Sequence, residues 1–121
     1  MKVTKDLVAA SATPMVLGIL AEGESYGYAI LRRINELSGG ELEWTEGLLY
    51  PLLHRLERLG HLESSWQSVA GERKRKYYRV TDRGLAELAE QRRQWDTVVG
   101  ALRELWHDRT PLAVNGLGGL A

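Results

Sequence analysis

The stretch Thr45–Gly60, TEGLLYPLLHRLERLG, most constrains the fold, because its apolar residues keep helical spacing on both sides of an interior proline. Pro51 lacks the amide hydrogen that a helix needs, and its ring crowds the carbonyl oxygen of Gly47. An interior proline costs about 3 kcal/mol relative to alanine. Both residues fall on the outer face of the predicted helix, where water solvates the unpaired carbonyl. The sequence therefore predicts a bent helix whose defect lies on its exposed side.

This helix has two different faces. Successive residues advance by 100°, and an arc of roughly 140° collects only leucines: Leu48, Leu49, Leu52, Leu53, Leu56 and Leu59. The opposite arc carries no acid and contains Gly47, Tyr50, Pro51, His54 and Arg58, with Arg55 at its edge. Tyr, His and Arg donate hydrogen bonds to phosphates and base edges, which predicts a DNA-binding face. A solvated face without acids is the alternative, and the helix alone does not decide between them.

Two more helices are predicted before this one. Thr13 is expected to cap a short apolar helix, with Pro14 at its first position and its end near Ala21. The residues before Thr13 are predicted to form a separate helical arm.

The next helix is predicted to start at a Ser25 cap and to run to about Ser38. Gly39 and Gly40 then end it, since one glycine suits the left-handed position after a helix. The residues at helical spacing predicted to form its buried face are Ile30, Ile34 and Leu37.

The segment after the proline-containing helix predicts a β-hairpin. Alternating side chains occupy one strand at Leu62, Ser64 and Trp66 and the second strand at Tyr78 and Val80. The loop SVAGER between them contains the glycine that a hairpin favours. The stretch ELEWT, residues 41–45, also alternates and is predicted as a very short strand.

A long last helix is predicted after the hairpin. Thr81 is expected to cap it, and Asp82 lies in its first turn, where the helix dipole favours an acid. The helix is predicted to end near Asp108, because Pro111 lies beyond.

The basic residues are concentrated around the hairpin. The formal net charge of the chain is zero, yet residues 46–79 hold seven Lys/Arg against four Asp/Glu, which leaves the rest negative. This asymmetry is typical of a surface that binds a polyanion on one side. Four consecutive basic residues lie at the predicted tip: Arg73, Lys74, Arg75 and Lys76. Arg73, Lys74 and Lys76 are predicted DNA contacts, and Arg73 and Lys74 are best placed for phosphate or a narrow minor groove; a solvated turn is the alternative.

The last helix carries a heptad pattern that predicts a dimer. Its positions are Leu85, Leu88, Arg92, Trp95, Val99, Leu102 and Trp106, of which only Arg92 is not apolar. So wide a stripe on a helix that projects from a small domain needs a partner surface. The alternative is that the helix packs back on its own three-helix core, which is expected of its start, whereas its second half is expected to contact another copy. The predicted interface residues are Leu88, Trp95, Val98, Val99, Leu102, Leu105 and Trp106. Trp95 and Val99 are also candidates for a planar-ligand pocket, although tryptophan in such a stripe is more often ordinary core.

Three helices, a basic hairpin and a long helix predict a mainly α fold with a small β-hairpin. This order is typical of a winged helix-turn-helix, in which the third helix enters the major groove and the hairpin touches the flanking backbone or minor groove. The predicted organisation is an N-terminal arm (1–12), a winged-helix DNA-binding domain (13–81), a dimerisation helix (82–109) and a flexible tail (110–121).

Other classes of protein find little support in the sequence. It contains no H-E-x-x-H, no G-x-S-x-G, no phosphate-binding loop and no cysteine, and its histidines His54, His61 and His107 are scattered. We therefore expect neither an enzyme nor a metal site nor a cofactor. No apolar run reaches the length of a membrane span. Asp6 and Pro14 argue against a signal peptide, and the absence of cysteine suits a reducing cytosol.

Three motifs over about Ala12–Trp106 resemble PadR-family transcriptional regulators. SYGYAILRRINELSGGELEW is similar to the family's H-G-Y-x-I start, with Tyr26 in place of histidine. EGLLYPLLHRLERLGHLES resembles G-T-L-Y-P-x-L-x-R-L-E-x-x-G, with Leu48 in place of threonine. RKYYRVTDRG resembles R-K-Y-Y-x-L-T-x-x-G, with Val80 in place of leucine. Leu48 removes a small hydroxyl near the start of the recognition helix, so a contact of the family at this position is not carried over to this chain, whereas the fold is.

The resemblance implies a cytoplasmic bacterial repressor that acts as a homodimer and lies on the nucleoid when bound to DNA. It also implies inverted-repeat operators near promoters and, in many members, release by a small hydrophobic or phenolic ligand. The alternative is a winged-helix adaptor that binds proteins and not DNA.

Overall fold

A computed structural model of the chain describes residues 2–68, 70–71 and 73–107. Its elements are, in order, α1 (Lys5–Ala10), α2 (Ala12–Ala21), β1 (Ser25–Tyr26), α3 (Gly27–Ser38), α4 (Glu46–Arg58), β2 (Leu62–Ser68), β3 (Lys74–Val80) and α5 (Asp82–His107). The predicted fold class, a mainly α winged helix-turn-helix with a long last helix, is confirmed. Asp108 and the predicted tail lie outside the described residues. No described helix is both long enough and apolar enough to cross a membrane.

The chain divides into two compact units after Ala89, inside α5. The first unit holds α1 to β3 and the start of α5, and its core is formed by α2, α3, α4 and the sheet. Its fully buried side chains include Val16, Leu17, Leu20, Ile30, Ile34, Leu49, Leu53, Leu56, Leu62 and Tyr78. The prediction for Leu37 was wrong, because 52% of this residue is exposed at the end of α3.

The sheet has three strands where the sequence predicted a hairpin of two. β3 lies in the middle, and both neighbours run antiparallel to it. Ser25 of β1 pairs with Tyr78, and Tyr26 pairs with Tyr77. Ser25 is therefore a strand residue and does not cap α3 as predicted. The extended residue Tyr26 stands before α3 and makes no side-chain cap hydrogen bond.

The β2–β3 hairpin agrees with the predicted alternation. Ser64 pairs with Tyr78 and Trp66 with Lys76, so these four side chains share one face of the sheet. Tyr78 on that face is buried in the core, which identifies it as the face towards the helices.

The strand predicted at residues 41–45 was wrong. Its alternation arises because Leu42 and Trp44 pack against the core from irregular backbone.

The N-terminal arm contains a helix, α1, whose Val8 is buried. α2 begins at Ala12, one residue before the predicted cap Thr13. Pro14 is the third helical residue, still within the first turn, where amide groups have no acceptor inside the helix. Its missing N–H therefore costs α2 no hydrogen bond.

α4 runs through Pro51 as one helix. Thr45 caps it as predicted, since its Oγ1 accepts a hydrogen bond from the Leu48 amide at 3.2 Å. Four of the six predicted leucines are buried and Leu48 is half-buried, so most of the predicted stripe is confirmed. Leu59 is exposed, because α4 ends at Arg58 and Leu59 is the residue after it.

The start of α5 is fixed to the start of β2. Thr81 caps α5 as predicted, because its Oγ1 accepts a hydrogen bond from the Gly84 amide at 3.0 Å. The same hydroxyl donates to the Gly60 carbonyl at 2.7 Å, and the Thr81 amide donates to the His61 carbonyl at 3.0 Å. Gly84 is buried, and a Cβ atom on it would overlap the His61 carbonyl oxygen. α5 therefore approaches His61, the residue before β2, more closely than a side chain at position 84 allows.

Candidate nucleic-acid interface

The predicted outer face of α4 is exposed along its whole length. All six residues assigned to it are exposed: Gly47, Tyr50, Pro51, His54, Arg55 and Arg58. Within residues 2–68, 70–71 and 73–107, neither Arg55 nor Arg58 makes an ion pair. The face thus presents two guanidinium groups to solvent without a carboxylate that neutralises them.

Tyr50 marks the edge of this face. It is 37% exposed, and its hydroxyl lies against Gly27 at the start of α3. A Cβ atom on Gly27 would overlap that hydroxyl, so glycine allows α3 and α4 to approach here. The Tyr50 ring is 6.5 Å from the His54 ring, one turn along α4.

The wing is the β2–β3 hairpin, and its inner face contacts α4 through a polar cluster. Ser64 donates a hydrogen bond from Oγ to Glu57 Oε2 at 2.6 Å, and Lys76 Nζ lies 4.0 Å from Glu57 Oε1. The Lys76 ammonium group is also 5.4 Å from the centre of the Tyr78 ring. Burial raises the pKa of the Tyr78 phenol, so this ring stays neutral beside the lysine. Lys76 is thus partly neutralised, which weakens the case for it as a phosphate contact.

Two other basic residues already have partners on the outer face of the wing. Arg75 places its guanidinium group 4.5 Å from the centre of the Tyr26 ring, which meets Tyr77 edge-on at 5.3 Å. Arg79 hydrogen-bonds Glu63, and that bond raises the pKa of the arginine. The two adjacent tyrosines of β3 differ, because Tyr78 is buried and Tyr77 is half-buried.

The hairpin tip leaves Arg73 and Lys74 exposed. Within the residues that the structure describes, neither has an ion-pair partner. They remain the wing cations best placed for phosphate.

A groove of about 790 Å³ separates the wing from α3 and α4. Four of its residues were predicted as DNA contacts: Tyr50, His54, Arg73 and Lys76. No acid is among the residues that line it. The groove therefore joins the α4 face to the hairpin tip as one basic, aromatic-rich surface.

Three further groove residues were missed from the sequence. Tyr28 and Arg32 come from α3, where the guanidinium group lies 5.4 Å from the centre of the tyrosine ring. Their spacing of four residues was a visible signal that they share one helix face. Trp66 comes from β2, where the alternation indicates that it shares a face with Leu62 and Ser64; the structure pairs it with Lys76. Their approach to α4 depends on tertiary packing, which no local pattern shows.

The second compact unit contains most of the predicted dimer residues. Val98, Leu105 and Trp106 are exposed there, while Trp95, Val99 and Leu102 are half-buried. Leu88 belongs to the first unit and packs against the core of its own chain. A shallow depression of about 180 Å³ is lined by Gln94, Trp95 and Val98, so Val99 is not part of it.

Among the described residues, no group of three or more His, Asp or Glu side chains lies close enough to hold a metal ion.

The fold and this surface define a winged-helix protein of the kind that binds nucleic acid. Residues 16–90 match the family described as the transcriptional regulator PadR-like family, and the chain therefore belongs to that family. The predicted resemblance is confirmed, and the family is one of transcriptional regulators that bind DNA.

Individual relatives agree with this assignment. The chain is 37% identical to transcriptional regulator Rv3488 of Mycobacterium tuberculosis over 101 residues, which cover 84% of this chain and 88% of that protein. A transcriptional regulator from Clostridium thermocellum superposes with a TM-score of 0.77 at 25% identity, over 84% of this chain and 96% of that one. A PadR-like transcriptional regulator from Bacillus cereus superposes with a TM-score of 0.74 at 29% identity, over 84% of this chain and 96% of that one.

Proposed function

We propose that this protein is a transcriptional repressor that binds an inverted-repeat operator as a homodimer. α4 enters the major groove, and the hairpin tip with Arg73 and Lys74 contacts the flanking backbone or minor groove. Two copies related by a two-fold axis reach half-sites about 34 Å apart, one helical turn of DNA.

One observation carries this proposal: the exposed face of α4 holds Arg55 and Arg58 without an ion pair among the described residues, and the face itself carries no acid. An ordinary solvated helix face mixes both signs of charge, since opposite charges four residues apart stabilise a helix. An arginine fork that is exposed and unpaired can instead bind guanine or phosphate bidentately.

Duplex binding tests the proposal directly. Titration of a fluorescent random-sequence duplex at low salt should give binding that weakens steeply as salt is added, because bound cations release counterions from the DNA. Selection from a random pool should then enrich an inverted repeat. A chain that binds no duplex at low salt would instead be the winged-helix adaptor.

Lys74→Ala separates phosphate contacts from base contacts. We expect it to lower affinity equally for selected and random duplexes and to reduce the slope of log affinity against log salt by about one. Lys5→Ala is the matched control, because it removes the same charge from α1, in a different element from the wing and α4. An unchanged slope for Lys74→Ala would remove this lysine from the contact set.

Dimerisation is proposed to use the second half of α5. The exposed apolar side chains Val98 and Leu105 support this, since an isolated helix in water gains nothing from them. Val98→Asp should raise the dimer dissociation constant about tenfold, as measured by sedimentation equilibrium. Thr97→Asp is the control, because Thr97 is exposed and is not among the predicted interface residues. Equal effects of the two variants would contradict a specific interface at Val98.

Release by a small hydrophobic or phenolic ligand is the remaining part of the proposal. Pockets for small molecules have volumes of about 300–1,000 Å³. The depression at Trp95 measures about 180 Å³ and is open, so a second copy of the chain has to complete any such pocket.

A further inference from the structure

Trp66 occupies an unusual position for so large an apolar side chain. It lies on the sheet face that includes the buried Tyr78, yet 64% of it is exposed. It is two residues beyond Ser64, the residue whose hydroxyl contacts α4 through Glu57. The inner face of β2 thus passes from core at Leu62, through a polar contact, to an exposed indole at the groove.

The groove that Trp66 lines also contains cations from two other elements. Arg32 lies on α3, where its guanidinium group stacks near the Tyr28 ring, and Lys76 lies next to Trp66 on β3. Within the described part of the chain, Arg32 makes no ion pair. An exposed apolar ring and an arginine without an ion pair in one groove suit a strand of DNA, in which sugars alternate with charged phosphates.

We propose that the groove is a clamp for one DNA backbone, in which the Trp66 indole packs on a deoxyribose and Arg32 binds the neighbouring phosphate. This inference rests on the proposed function and names residues on the wing strand and on α3, outside the recognition helix.

The chemistry of tryptophan suits this role better than a structural one. An exposed indole contributes little to the core, whereas covering it with a sugar removes its apolar surface from water. Its Nε1–H is a donor only, so it can bond a phosphate oxygen without any competing acceptor function. Contacts of this kind position a protein on DNA and carry no sequence information.

The test compares Trp66→Ala, Trp66→Phe and Arg32→Gln in the full-length chain, with anisotropy titrations at several salt concentrations on random and selected duplexes. Trp66→Ala should weaken both duplexes equally, by about tenfold, with an unchanged salt slope because the residue is neutral. Trp66→Phe should retain most of the affinity. Arg32→Gln should weaken both duplexes equally and reduce the salt slope by about one.

Fluorescence gives a second measurement that does not depend on the alanine variant. The difference between wild-type and Trp66→Phe spectra isolates Trp66 from Trp44, Trp95 and Trp106. Binding of duplex DNA should protect the Trp66 fluorescence from quenching by acrylamide.

Two results would overturn the clamp while leaving the proposed function intact. One is normal, salt-dependent DNA binding by Trp66→Ala with no protection of Trp66 from quenching. The other is a loss confined to the selected duplex, which would make Trp66 a base contact. Absence of duplex binding by the unmodified chain would overturn the proposed function, and this inference with it.

Discussion

Replacement of Gly84 by alanine should destabilise the first compact unit by about 3 kcal/mol, because overpacking a close contact forces the backbone to shift. A Cβ atom there would lie closer than 3.0 Å to the His61 carbonyl oxygen and to Val80 Cγ2. The obstacle is partly backbone, so no side-chain rotation relieves it. α5 would have to move away from β2 and weaken the hydrogen bonds of Thr81.

Thermal unfolding followed by circular dichroism measures this effect. A loss of about 3 kcal/mol corresponds to a fall in Tm of roughly 10–20 °C for a domain of this size. Gly18→Ala is the matched control, since Gly18 is inside α2 and a Cβ on it meets nothing within 4 Å. Alanine is the better helix former by about 1 kcal/mol, so the control should be neutral or more stable. Similar melting of both variants would show that α5 and β2 are not in close contact.

Replacement of Arg58 by alanine should reduce affinity for the selected operator by about 10- to 100-fold, the usual cost of a lost bidentate base contact. Arg58 lies one turn after His54 on the exposed face of α4. The same variant should lose less affinity for a random duplex, because on random sequence Arg58 provides only one positive charge among several. Anisotropy titrations on both duplexes give the ratio.

Arg58→Lys distinguishes the two possible roles of this residue. Lysine keeps the charge but cannot make the planar two-pronged contact of a guanidinium group. If Arg58 contacts a base, Arg58→Lys should restore affinity for the random duplex but retain most of the lost affinity for the operator. Equal losses on both duplexes, largely recovered by lysine, would assign Arg58 to phosphate.

Most of the fold was predictable because its signals are local. The leucine stripe of α4, the Thr45 and Thr81 caps and the alternation of the hairpin each depend on neighbouring residues, and the structure contains all of them. β1 was missed for the opposite reason. Two residues show no periodicity, and the strand exists only because β3 supplies a partner.

The candidate interface was predictable for α4 and the hairpin tip but not for the groove between them. The sequence places Arg58 and Arg73 in exposed basic segments without reference to other elements. Arg32, Tyr28 and Trp66 become part of one surface only when α3 and β2 pack beside α4. Leu42 and Trp44 illustrate the same dependence, since their alternation reflects contact with the core and no strand.

The pairing of β1 with β3 has a consequence for the synthesis of the protein. Ser25 pairs with Tyr78, which leaves the ribosome 53 residues after it. At translation rates of about 5–20 residues per second, this interval lasts roughly three to ten seconds. α2, α3 and α4 can associate within that time through local contacts, but the sheet cannot form. A polypeptide that ends before Lys74 therefore has every helix of the helix-turn-helix and lacks β3, the central strand that closes the domain.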